Sequence, residues 1–503
     1  MSSRNRTHKS FFSRPTRTSS GRSMRMSCMD TFATRKARRC NSCSSGGSKS
    51  RLKEAAASTG AAASNEGGGS AGSSSSNSGS CSVSDVQAAI NSANDGDTVV
   101  IPNASCSWSS GITFSKQIVL QGATAGGVTI TDADTNSNDS LLTITIGASF
   151  HTTLANITFL PGSGKGHYVT IQGSGLPPLM HDMTFNLPNF QLQNAVNWWV
   201  TGGVIWNTTF ISTNNLSGAC GTQVGSDSGS LAVRSNLSWN APSTMGVLDT
   251  TGTNNLYIED SVFSNVGQIP DLDDNARVVI RHSQIIGSSG LTHGPTGAQG
   301  GRSIELYNDT FSYPNQNRPL NRYFWMRAGT MVVTNNDIQW INGGCYPNKN
   351  SFTVIVEGAR WNAGGHQCCT GWQCWHQVGS GASSVTQTPP ILSSSQSPTD
   401  NFQLSDPVYI WNNRGTGQGS SHYGTNDVDP AQDNCHNINP STGQEFSTSD
   451  FYKAGRDYFY DDTSNPNNGA KPGWAPYSYP HPLRGNSSTP PPAPPTGVTV
   501  TVK

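Results

Sequence analysis

Charge is the scarcest commodity in this chain. Only 12% of its 503 residues are Asp, Glu, Lys or Arg, against about a quarter in an average globular protein. Coiled coils and helical bundles, which rely on charged surface stripes, are thereby excluded. The 54 glycines and 28 prolines exclude them again, because both residues interrupt long helices. Long apolar runs are also missing: none approaches the ~20 residues that a membrane-spanning helix needs. The first 54 residues lack even the apolar stretch of ~7 to 15 residues that marks a secretory signal.

What charge there is divides unevenly. Residues 1–54 carry 14 Lys and Arg against Asp30 and Glu54, a net of +12, which leaves the rest of the chain at −12. An acidic body repels phosphate backbones, so nucleic acid is not an expected partner. The head, residues 1–54, reads as a basic disordered tail or as the product of a start codon placed too far upstream. Residues 55–80, rich in Ser, Gly and Ala, read as a linker.

Beyond Cys81, Ser84 can cap a short amphipathic helix with Val86, Ala89, Ile90 and Ala93 on one face, and Asp95-Gly96-Asp97 turns the chain into a strand, Thr98–Ile101. A tetrapeptide then recurs: Asn156–Phe159, Asp182–Phe185, Asn207–Phe210, Asn236–Trp239, Asp260–Phe263, His282–Ile285, Asn308–Phe311 and Asn335–Ile338. The intervals, 22 to 29 residues, fit one coil of a parallel β-helix and fall short of a ~40-residue propeller blade. On that reading the last residue stacks in the core. The first forms a column at a turn, where Asn tolerates left-handed backbone and can build an asparagine ladder between coils ~4.8 Å apart.

The repeat also supplies a register. Leu256 and Ile258, Val278 and Ile280, Ile304 and Leu306, and Met331 and Val333 point inward, so Tyr257, Glu259, Arg277, Val279, Arg281, Ser303, Glu305 and Tyr307 point outward. Glu259, Arg281 and Tyr307 share one column, with Glu305 one column over. Asp271, Asp273, Asp274, His293, Arg302 and Arg327 fall on adjoining loops. Closely spaced carboxylates suit a hard cation, so Asp271, Asp273 and Asp274 are candidate calcium ligands. An EF-hand is excluded, because Ala276 and His282 stand where that loop needs Gly and Glu.

Val86–Ile90, Asp95–Pro102 and the recurring tetrapeptide together resemble the pectate-lyase-like superfamily of right-handed parallel β-helices, over roughly residues 81–370. Ala276–His282, Thr292–Gly294, Glu305–Asn308 and Tyr477–Pro482 are similar to a group of secreted bacterial β-helix proteins. The resemblance implies an all-β fold with an N-terminal capping helix, followed by a loop-rich cap over residues 371–485. Residues 486–503 are a Pro-rich linker and terminal strand. It implies a protein acting on an extracellular, acidic polysaccharide, foremost a lyase working by β-elimination. That chemistry needs a base, an acid and a group that neutralises the uronate carboxylate. By resemblance, Arg281 or His293 is the base and Tyr307 or Arg302 the proton donor, with Arg277, Glu259, Arg327 and Tyr257 binding substrate. Alginate lyases and chondroitinase B of this fold pair a Lys with an Arg, and no Lys lies between Arg277 and Arg327. A glycoside hydrolase using Asp273 or Asp274 with Glu305 is one alternative. A noncatalytic adhesin or surface repeat protein is another. The body's eight cysteines fit an oxidising, extracellular setting, with Cys81 and Cys106 the expected disulfide.

Overall fold

The computed structural model describes residues 73–136, 140–164, 167–187, 194–212, 229–235, 251–292, 301–313, 323–326, 329–339, 352–354, 379, 406–415, 455, 458–461 and 469–485. All lie in the second of two units, 1–69 and 70–503.

Among these residues the chain is nearly all β, with three parallel sheets of twelve, nine and nine strands and one α-helix. Between the ends of the twelve-stranded sheet the chain visits the sheets in turn, so each strand pairs with the strands three before and three after it. This arrangement is consistent with a parallel β-helix. Strand after strand alternates as the pattern requires: in Val128–Asp132 and Leu142–Ile146 every second residue is buried and the threonines between them are not. The four inward pairs expected from the repeat all lie in one core. In that core Phe159, Phe185, Phe210 and Phe263 form a continuous stack, with ring centres 5.6, 5.0 and 5.0 Å apart.

The corners explain why the tetrapeptide begins with a short polar residue. Asn156, Asp182, Asn207, Asp260, His282, Asn308 and Asn335 all have φ between 48° and 60°. Asn and Asp enter that left-handed region at least cost because their side chains bond locally. Within this column Asn207 donates to Asp182 at 2.7 Å, and Asn412 donates to Asn335. A longer polar chain runs one residue later. The hydroxyl of Ser261 accepts the Thr208 amide, Ser283 accepts that of Ser261, Asp309 that of Ser283, Asn336 that of Asp309, and Asn413 that of Asn336, at 2.8 to 3.2 Å. All six side chains are buried, so this chain supplies partners to backbone groups that water cannot reach.

Three expectations change. The described column passes from Asn207–Phe210 directly to Asp260–Phe263, and the tetrapeptide Asn236–Trp239 lies outside the described residues. Thr209–Ser212 pairs directly with Val262–Ser264, leaving no strand between them. Intervals of 29 and 24 residues mimicked two coils in a chain where Asn, Ser and Thr are common. The first sheet also extends past both ends of 81–370. Ser75–Asn77 pairs with Thr98–Val100, Val408–Trp411 pairs with Thr330–Thr334, and Tyr458–Tyr460 pairs with Val408–Trp411. Finally, the helix Val83–Ser92 is capped by Ser82, whose hydroxyl accepts the Asp85 amide, and not by Ser84. Its Val86, Ala89 and Ile90 join the core, and Cys81 is bonded to Cys106.

Candidate functional site

The register places the outward column as the repeat predicts. Glu259 pairs with Arg281, Arg281 with Tyr307, and Glu305 with Val279 in the neighbouring column, all on the outer face of the first sheet. Alternation along Leu256–Glu259, Arg277–Arg281 and Ser303–Tyr307 turns these side chains away from the core. They do not reach solvent, however. Glu259 and Arg281 are 0% exposed, and Tyr257, Arg277 and Tyr307 are buried too.

The cover is the segment Gly469–Gly485, which crosses the outer face of this sheet as a strap. Val204, Tyr257, Val279 and Tyr307 form a second apolar cluster, against which Trp474, Tyr477 and Leu483 pack. Arg281 is the anchor. Its Nε donates to Glu259 at 2.8 Å, one Nη to the Tyr307 hydroxyl and the Tyr477 carbonyl, and the other to Glu259 and the Ser478 carbonyl, so all five N–H donors are used. Glu259 also accepts from Arg484 at 2.8 Å and from the His481 amide at 3.2 Å. Asp260 accepts from Arg484 at 2.6 Å and from the Tyr479 hydroxyl at 2.7 Å. Two cations thus meet two anions, which is the balance a buried ionic cluster requires. Tyr479 stacks on His282 at 3.7 Å, and the indole of Trp474 donates to Glu305 at 3.0 Å.

This geometry revises the roles expected of the column. Burial opposes the charge on Arg281, but Glu259 and Tyr307 outweigh it and hold the guanidinium above its ordinary value, the opposite of what a base needs. Burial pushes Tyr307 up to about 12 and raises the Glu305 carboxyl. Tyr257 is also raised by burial, and its hydroxyl is spent on the Gly252 carbonyl at 3.0 Å. Arg302 is buried and pairs with Asp406 at 2.7 Å. In this conformation these residues hold the strap and the coils together, and Arg277 is buried in the same sheet. His293 and Arg327 lie outside the described residues.

The carboxylates expected to bind calcium also sit differently. Asp271–Asp273 is a strand of one of the nine-stranded sheets, so Asp271 and Asp273 flank the inward Leu272. Asp273 and Asp274 lie 3.5 and 4.0 Å from Arg234, which stands over Trp199. Among the described residues no group of three or more His, Cys, Asp or Glu side chains is gathered to hold a metal ion.

Past the described residues of the strap, the same outer face continues through Trp206, His181 and Ala155 on successive coils. His181 Nδ1 lies 2.6 Å from Asp182, and its ring stacks on Trp206 at 4.3 Å. Both members of this pair reach solvent, at 24% and 30% exposure. Burial pushes Asp182 upward, but hydrogen bonds from His181 and Asn207 outweigh it and hold the carboxyl below its ordinary value. The repeat had marked Asp182 only as a corner. Its neighbour His181 carries no motif of its own, and the sequence signal for it is the outward phase of Leu179–His181.

No protein-family profile and no curated protein matches the chain. Among solved structures it is similar to an alginate lyase from Paenibacillus sp. str. FPU-7, at 12% identity and a TM-score of 0.26, over 56% of this chain and 82% of that one.

Proposed function

We propose that the chain is an exported right-handed parallel β-helix protein, closed at its start by the helix Val83–Ser92, that cleaves an extracellular uronate-containing polysaccharide by β-elimination. The observation that carries this reading is the outer face of the first sheet. Equivalent positions there recur in register on successive coils, about 4.8 Å apart, so an extended polymer lying along the part of the stack outside the strap meets side chains at a regular spacing. Ionisable and aromatic side chains concentrate on this face in a chain otherwise poor in charge; Glu259, Arg281 and Tyr307 lie under the strap, while His181, Asp182 and Trp206 keep contact with solvent. The acidic body argues against nucleic acid as the polymer.

A second reading, a noncatalytic surface repeat protein that binds polysaccharide, is favoured by the burial of Glu259, Arg281 and Tyr307 beneath the strap. One assay separates the readings. The purified chain is incubated with pectate, alginate, glucuronan and neutral glycans, with and without added calcium. A rise in ultraviolet absorbance from unsaturated uronate ends supports the lyase. New reducing ends without that absorbance point to a hydrolase, and retention on the polymer without either points to binding alone.

A further inference from the structure

Among the described residues, the strap does not extend over the N-terminal part of the first sheet's outer face. Its last helical turn, Pro482–Arg484, brings the Arg484 guanidinium 5.5 Å over the ring of Trp206. One coil further on the column presents His181, and one coil beyond that Ala155. Among the described residues of this column, His181 is the first ionisable side chain outside the strap's contacts.

Its setting is more ordered than a surface position requires. Asp182 is held below the ordinary carboxylate range, so it is ionised near neutrality and can only accept. Nδ1 of His181 is therefore the donor in the 2.6 Å contact, so in the neutral imidazole the lone pair sits on Nε2. The stack on Trp206 fixes the ring plane, and the Asn207 amide fixes the Asp182 carboxylate at 2.7 Å. A half-exposed pair of this kind contributes at most about 1 kcal/mol to stability, so the fold gains little from ordering it. Catalysis gains more, because a fixed tautomer with one free nitrogen is the form in which an imidazole removes a proton.

Resting on the lyase reading, we propose that His181 is the proton-transfer group of this face, with Asp182 as its positioning residue, and that the group it acts on is the α-proton of a uronate residue. Nε2 takes the proton α to the sugar carboxylate, and the C–H electron pair becomes the new double bond. The bond from the β-carbon to the glycosidic oxygen breaks, and the leaving oxygen takes the proton back from the imidazolium. No oxidant, reductant or further reactant is consumed. The charged groups around His181 are Asp182 at its own strand end and Arg484 from the strap, with Asp260 and Glu259 behind Arg484.

The test uses the full chain and the polymer that it cleaves fastest. His181→Gln should lower kcat by at least ~100-fold with KM within a few-fold, the range for losing a general base. Wild-type kcat/KM should fall on the acid side through the ionisation of a single group. Asp182→Asn should move that limb as well as lower kcat, which a merely structural partner would not do. If His181→Gln retains activity within a few-fold, or the wild-type profile has no acid-side limb, the assignment is overturned while the lyase reading stands. The profile needs no variant, so misfolding of His181→Gln cannot rescue the proposal. If wild-type chain makes no unsaturated ends from any uronate polymer, the lyase reading fails and this assignment falls with it.

Discussion

Replacing Arg281 by Ala separates a clamp from a catalytic base. The variant leaves the Tyr307 hydroxyl, the Tyr477 and Ser478 carbonyls and one oxygen of Glu259 without the donor that each now has, those of Tyr307 and Glu259 in buried positions. Glu259 keeps Arg484 and the His481 amide, so its charge is not wholly abandoned. Breaking a buried pair by removing one partner costs about 3–5 kcal/mol, and each buried acceptor left unmade adds to the strain on the segment that carries it. The strap lies on the surface and can detach without unfolding the coils, so the cost should appear as local opening. At 1.36 kcal/mol per tenfold, 3 kcal/mol corresponds to more than 100-fold loss of hydrogen-exchange protection. The His481 amide, which donates to Glu259, is the reporter, and the core amides of Val278 and Ile280 are the internal control. Arg281→Lys keeps the charge but offers three donors in place of five, and should fall between wild type and Ala. Unchanged protection at His481 in Arg281→Ala would refute the clamp.

Asp309 is fully buried, and desolvation pushes its carboxyl well above the ordinary value. An acid raised in this way stabilises the fold below its unfolded pKa and loses that contribution as pH rises towards its folded one. Asp309→Asn, which keeps the acceptor for the Ser283 amide, should therefore gain about 1–2 kcal/mol near pH 8 and converge on wild type at acid pH, as read from denaturant melts across pH. Phe210→Ala interrupts the ring stack between Phe185 and Phe263 and should cost about 3–5 kcal/mol, measured the same way. Cys81→Ser with Cys106→Ser opens a loop of 25 residues and should cost about 3 kcal/mol, seen first as lost exchange protection in the helix Val83–Ser92.

The parallel sheets were legible because a coil obeys two local rules at once: alternation along each strand, and a short polar residue at a left-handed corner. Both are visible within six residues, as in Asn207-Thr-Thr-Phe-Ile-Ser212. The inward and outward phases of Leu256, Arg281 and Tyr307 followed from the same rules. What no local rule carries is which outward face another part of the chain will cover. Arg281 and Tyr477 are 196 residues apart, and Tyr477–Pro482 has neither strand alternation nor helical spacing to announce where it docks. A dense ionisable cluster therefore looked like an open site when it was an anchorage. The buried polar chain from Thr208 to Asn413 was missed for a related reason. Its members are Thr, Ser, Asp and Asn in succession, alike in accepting a backbone amide but not in name. His181 stayed unmarked because a single outward histidine acquires meaning only when Asp182 and Trp206 are seen around it.

The central functional claim is that this chain breaks a uronate polymer by elimination, and the mass of its products tests it most directly. Oligosaccharides released from the best uronate substrate in water enriched in heavy oxygen should carry no label and be lighter than hydrolytic products by one water. Labelled products of full hydrolytic mass, or no products from any uronate polymer, would contradict the claim.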